Sequence, residues 1–136
     1  MLRERQKITF ASSQRKGVLG SVTWTVGSES TNAITVSGQA LDEAGNEMEE
    51  ACAFSWYWAN DSEGLTPTTT AHDGGTAAGT DGAIIEQVTD LSGIAITEAD
   101  GDIDIVATDA GAFTTYLVAV NPDGTISVSG AVTHAA

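Results

Sequence analysis

Three aspartates at alternate positions, Asp100, Asp102 and Asp104, have the D-x-D-x-D spacing that opens a calcium-binding loop. A loop of the EF-hand kind also needs glycine at its sixth position and glutamate at its twelfth. Those places hold Ile105 and Gly111, so the pattern fails. On a strand, Asp102 and Asp104 would share one face, as a solvated strand face requires. A second acidic group, Asp42, Glu43, Glu47, Glu49 and Glu50, surrounds one turn. It can attract a cation or a basic partner, and it also reads as the charged surface of a soluble protein.

Other chemistry is sparse. His72 falls in a loop and His134 near the end, and neither has a Cys or His neighbour at metal-ligand spacing. Cys52 is the one cysteine, so no internal disulfide can form, and its place in an aromatic run reads as a small buried apolar group. The glycine-rich run 73–82 lacks the lysine and following helix of a phosphate loop and reads as an exposed surface loop. No nucleophile elbow or paired-carboxylate site is visible. The expectation is a protein that is not an enzyme, with no catalytic residue, no cofactor and no metal. Tyr57 and Trp58, with Tyr116 nearby, are the aromatics whose rings could form a platform for a glycan; the competing reading places them in the core.

Charge divides the chain. The 136 residues carry a formal charge of −14, but all five basic residues, Arg3, Arg5, Lys7, Arg15 and Lys16, lie in the first sixteen positions. With Glu4, that segment is +4, and the remaining 120 residues, which have no Lys or Arg, are −18. A body so acidic repels phosphate, which disfavours direct binding of nucleic acid by the body, and no nucleic-acid partner is expected. No apolar run approaches the ~18–20 residues of a membrane span, and the start MLRERQK has no apolar stretch of the secretory kind.

The elements that must position these residues read as strands. Val22, Trp24 and Val26 alternate with threonines. Ile34, Val36 and Gly38 alternate with polar residues. Phe54, Trp56 and Trp58 share a face opposite Ser55 and Tyr57. This aromatic strand is placed centrally. Further strands are predicted over 65–71, 83–88, 94–98 and 113–120; after the Asp100-Gly101 turn Ile103 and Ile105 face inward while Asp102 and Asp104 face water, and a last strand runs from Ile126 to near His134. Asn121-Pro122-Asp123-Gly124 is a hairpin turn. Short strands at such regular spacing predict an all-β sandwich. It would occupy residues 18–136, behind an extended basic N-terminal arm over 1–17 with a short strand near Ile8–Ala11.

The stretch from Ala33 to Met48, AITVSGQALDEAGNEM, resembles the opening of bacterial immunoglobulin-like domains of the invasin/intimin type, where a strand enters a D-x-x-G-N turn. Thr97–Val106 and Asp109–Tyr116 resemble later strands of that family. The sequence is also similar to short acidic virion accessory proteins of tailed bacteriophages, through Asp73–Gly82, Glu98–Asp104 and Tyr116–Gly124. No signal peptide, tandem repeat or anchor of an adhesin is visible, which favours the virion family.

The resemblance implies an immunoglobulin-like β-sandwich and a non-enzymatic virion protein, assembled in the host cytoplasm. The expected role is a capsid decoration (cement) protein on the head exterior. It would be present in many copies, with trimers one arrangement. The arm residues Arg3, Arg5, Lys7, Ile8, Phe10, Arg15 and Lys16 would bind the major capsid protein or neighbouring copies. The alternatives are a carbohydrate- or host-surface-binding module, whose platform would be Tyr57 and Trp58 facing a cell-surface glycan, and a tail or neck accessory protein.

Overall fold

The computed structural model describes residues 15–136. The expected strand near Ile8–Ala11, and the arm residues Arg3, Arg5, Lys7, Ile8 and Phe10, lie outside the described residues.

Ten strands make up the body: β1 (Leu19–Val26), β2 (Ala33–Asp42), β3 (Ala53–Ala59), β4 (Thr76–Ala78), β5 (Ala83–Val88), β6 (Ser92–Ile96), β7 (Asp102–Thr108), β8 (Phe113–Val120), β9 (Ile126–Val128) and β10 (Val132–His134). They form two antiparallel sheets packed together. One has the order β1-β2-β7-β4. The other has the order β10-β8-β3-β6-β5, with β9 also on β8. The alternation in the sequence decides which face of each strand turns inward. Ile34, Val36 and Ala40 of β2 and Ile103, Ile105 and Ala107 of β7 are buried, opposite Phe54, Trp56 and Trp58 of β3. β3 sits between β8 and β6, so the aromatic strand is central, as its composition predicts.

Gly38 has a steric task on β2. It pairs with Trp24 of β1, and a Cβ there would lie 2.6 Å from Trp24 Cζ3 and 2.9 Å from Ile103 Cγ2. The missing side chain lets the Trp24 ring lie over the backbone and meet Phe54 edge-on across the sheets, with centroids 6.0 Å apart.

Two expectations about the middle of the chain are corrected. Residues 65–71 form no strand, only an isolated bridge between Ala59 and Pro67. Asn60 N donates to Thr66 O and Thr68 N to Trp58 O, both at 2.9 Å, so Pro67 occupies a non-hydrogen-bonded position and the pairing extends no further than these two bonds. The glycine-rich run 73–82, expected as an exposed loop, contains β4, which pairs with β7. Gly74 N donates to Thr108 O at 2.8 Å and Gly79 N to Asp104 O at 2.8 Å. A Cβ on Gly74 would sit 2.7 Å from the Thr108 side chain, and one on Gly79 2.8 Å from Asp104 Cβ. The glycines thus permit the close approach of an edge strand.

The last strand is also divided. β9 and β10 lie in succession along β8, and the register moves by one residue between them. That one extra residue is a bulge, and Ser129 fills it. Its backbone N–H donates to Leu117 O and its Oγ accepts from Leu117 N.

Candidate attachment site at the root of the N-terminal segment

β1 starts beside the end of β2, with Leu19 opposite Asp42. The turn Asp42–Asn46 is therefore where the N-terminal segment joins the body. Asp42 organises this junction. Its Oδ1 accepts from the N–H groups of Ala44 (3.0 Å) and Asn46 (2.9 Å), and its Oδ2 accepts from Gly17 N (3.0 Å). The first two bonds make an Asx-type turn, the reason for aspartate at such a corner. The third ties the chain before β1 to that same turn. The Gly17 and Asn46 N–H groups hold the Asp42 carboxyl below its ordinary value.

Arg15 adds a second tie. Its Nε donates to Glu43 Oε1 at 3.2 Å and its Nη2 to Oε2 at 3.4 Å, a forked contact, and its backbone N–H also reaches Oε1. The Arg15 guanidinium lowers the Glu43 carboxyl below its usual range. Backbone bonds complete the junction, with Glu43 N donating to Val18 O at 2.8 Å.

Beside the junction lies an open groove of about 1160 Å³. Asp42, Glu47, Glu49, Glu50 and Asp100 line it, with Lys16 as its cation. Met48 is buried beneath, its N–H on Ala40 O at 3.0 Å. The acidic turn and the Asp100 turn, remote in sequence, thus form one wall. Asp102, just beyond, is pushed above its ordinary value, first by burial and then by the Asp100 charge. The arrangement can hold a basic segment by charge, reinforced where backbone N–H groups meet fixed carboxylates. It brings Arg15 and Lys16 to the acidic turn.

The glycan platform expected from Tyr57 and Trp58 is corrected by strand parity. Trp58 points inward with Trp56 and is 1% exposed. Its indole N–H donates to Thr76 Oγ1 at 3.0 Å, so it offers no face to a sugar. Tyr57 points outward but is only half-exposed, with its hydroxyl donating to Gly64 O at 2.6 Å.

A second polar cluster lies at the opposite end of β3. His72 is 2% exposed and His134 1% exposed. Their rings stand 5.4 Å apart, tilted, and His72 also meets Trp58 and Phe113. His72 Nε2 is 3.0 Å from Thr115 Oγ1. His134 Nε2 is 3.1 Å from Ala107 O, which can only accept, so that nitrogen carries the proton. Neither Nδ1 has a partner among the described residues. Burial, and then His134, lower the His72 pKa to about 4. A signal existed in retrospect: His134 ends a strand on an inward position. His72 had none, because the chain before β4 has no period to read.

No group of three or more His, Cys, Asp and Glu side chains among the described residues is arranged to hold a metal ion. No helix among them is long and apolar enough to cross a membrane. No family model matches the chain, and no curated protein matches it as a relative.

Proposed function

We propose that the chain is a non-enzymatic structural protein of a tailed-bacteriophage virion, a decoration protein attached to the head exterior through its basic N-terminal arm. The observation that carries the reading is the segregation of charge, +4 in sixteen residues against −18 in the rest. The junction between the two parts supports it, because Arg15 and Gly17 are tied to Glu43 and Asp42 at one end of the body. A strongly acidic body keeps crowded copies and whole particles apart, and the basic segment carries the opposite charge that can meet another surface. Partners are the major capsid protein or neighbouring copies, and assembly takes place in the host cytoplasm.

We assign the fold to the immunoglobulin-like sandwiches. The order β1-β2-β7-β4 against β10-β8-β3 has the pattern of strands A-B-E-D against G-F-C. The β5–β6 hairpin is then an insertion between D and E that extends the second sheet beside C. The similarity of residues 33–48 to the invasin/intimin-type opening agrees with this placement of the second strand.

The test is imaging of intact particles together with a protein lacking residues 1–14. A copy number that scales with capsid area, and loss of attachment in the truncated protein with its melting transition kept, are the expected results. A copy number set by a single ring would place the protein at the neck or tail. Full occupancy by the truncated protein would refute the arm.

A further inference from the structure

Sheet edges left unpaired invite another strand, and most edges of this body are guarded. β4, β9 and β10 have three residues each. On β1, Val22 N already donates to Ser127 Oγ at 3.1 Å and the Trp24 indole to Ser127 O at 3.0 Å. β5 is different. It has six residues, five of them exposed, and pairs only with β6 among the described residues. Its sequence, AIIEQV, has no lysine or proline, and its guards are Glu86 and the bulge before Val88.

Its outer face is apolar. Ile85 is 56% exposed and Val88 52% exposed. The register shift between Glu86 and Val88 returns Val88 to the face of Ile85, since Ile85 lies opposite Ile94 and Val88 opposite Ser92. Ile94 and Ile96 of β6 continue the strip, both half-buried. Glu86 on the strand, with Asp81 before and Asp90 after, gives the edge a negative charge.

Two bodies of −18 repel edge to edge, so charge selects a basic occupant. The segment Gln6–Ala11, QKITFA, has Ile8 and Phe10 at alternate positions with Lys7 between flanking arginines and the body. From Arg15, where the described chain begins, Phe10 is five extended residues away, up to about 18 Å, so the receiving edge must lie close to the root of the arm. We propose that β5 receives the Gln6–Ala11 segment of a neighbouring copy as an added strand, with Ile8 and Phe10 extending the Ile85–Val88 strip. This rests on the reading of the arm as the attaching part and names where it attaches between copies. Main-chain bonds hold such a strand and alternate side chains select it. The contact is head-to-tail, so copies close into a ring or run on as a chain.

Disulfide trapping in the full chain tests the assignment. In a Cys52→Ser background, Phe10→Cys is combined with Ile85→Cys or with Val88→Cys and oxidised. Covalent dimers and higher oligomers are expected. A disulfide-closed monomer would show the arm on its own edge and overturn the proposal, as would no disulfide in either pair. Sedimentation of the full chain should show self-association weakened about tenfold or more by Ile85→Lys and by Phe10→Asp, with unchanged melting. Unchanged self-association in both overturns the edge assignment. Attachment of Ile85→Lys to particles is read separately: its persistence leaves the proposed function standing whichever way the edge result falls.

Discussion

His72 and His134 stand with ring centroids 5.4 Å apart inside the sandwich, each bonded through Nε2 and each with Nδ1 unpartnered among the described residues. Burial, and then the neighbouring His134, favour the neutral form of His72. His72 therefore reports pH through stability.

The His72 pKa is about 4 in the folded chain and ordinarily 6.5. Between these values the unfolded chain binds more protons, so stability is full above pH 6.5 and is lost as pH falls toward 4. The loss reaches about 3 kcal/mol. Asp42, Glu43, Asp109 and Asp123 are lowered in the fold, so their contributions are present above the ordinary carboxylate range and go as pH falls through their folded values. Urea midpoints should decline in two stages, and His72→Gln should flatten the first. Parallel curves for wild type and variant would remove His72 as the cause.

Trp56 and Trp58 are equally buried but differently bonded. The Trp58 N–H has Thr76 Oγ1, and the Trp56 N–H has no partner among the described residues. Both Trp→Phe variants lose volume, but only Trp58→Phe also loses a bond. It should cost about 1 kcal/mol more than Trp56→Phe in chemical unfolding. Equal costs would show that the Thr76 bond adds nothing.

Gly38→Ala should destabilise by about 1–3 kcal/mol, because the methyl meets Trp24 and Ile103 in a packed interior. Gly45 is the contrast, since no atom lies within 4 Å of a Cβ built there, although its φ is +87°. Near-ultraviolet circular dichroism of Gly38→Ala should show a disturbed Trp24 signal. A native spectrum with native stability would refute the close approach.

Asp42→Ala leaves the N–H groups of Gly17, Ala44 and Asn46 without their carboxylate. Amide exchange at these three should quicken together, while Ile34 and Ile105 in the strands stay protected. Arg15→Ala, which removes an exposed contact, should leave the Ala44 and Asn46 amides unchanged. Independent behaviour of the three amides would show that Asp42 does not join root and turn.

The amino-acid pattern alone determined the strands whose period is strong. Phe113–Val120 and Ala83–Val88 could be bounded in the sequence, as could the inward faces of β2, β3 and β7, because a period of two assigns every side chain to one face. It also determined the charge division. What it left out depends on contacts between distant residues. β4 is held by glycines whose role shows only against β7. The strand expected over 65–71 is reduced to one bridge at Pro67, bracketed by two bonds to Trp58 and Asn60. Trp58 can be assigned to one face of β3 from the sequence, but whether that face is wet or buried depends on the opposing sheet. His72 meets His134, and Glu47 and Asp100 come to line one groove, only once the strands have taken their order. Periodicity is a local property of the chain, whereas burial, paired charge and an open edge belong to the assembled sheets.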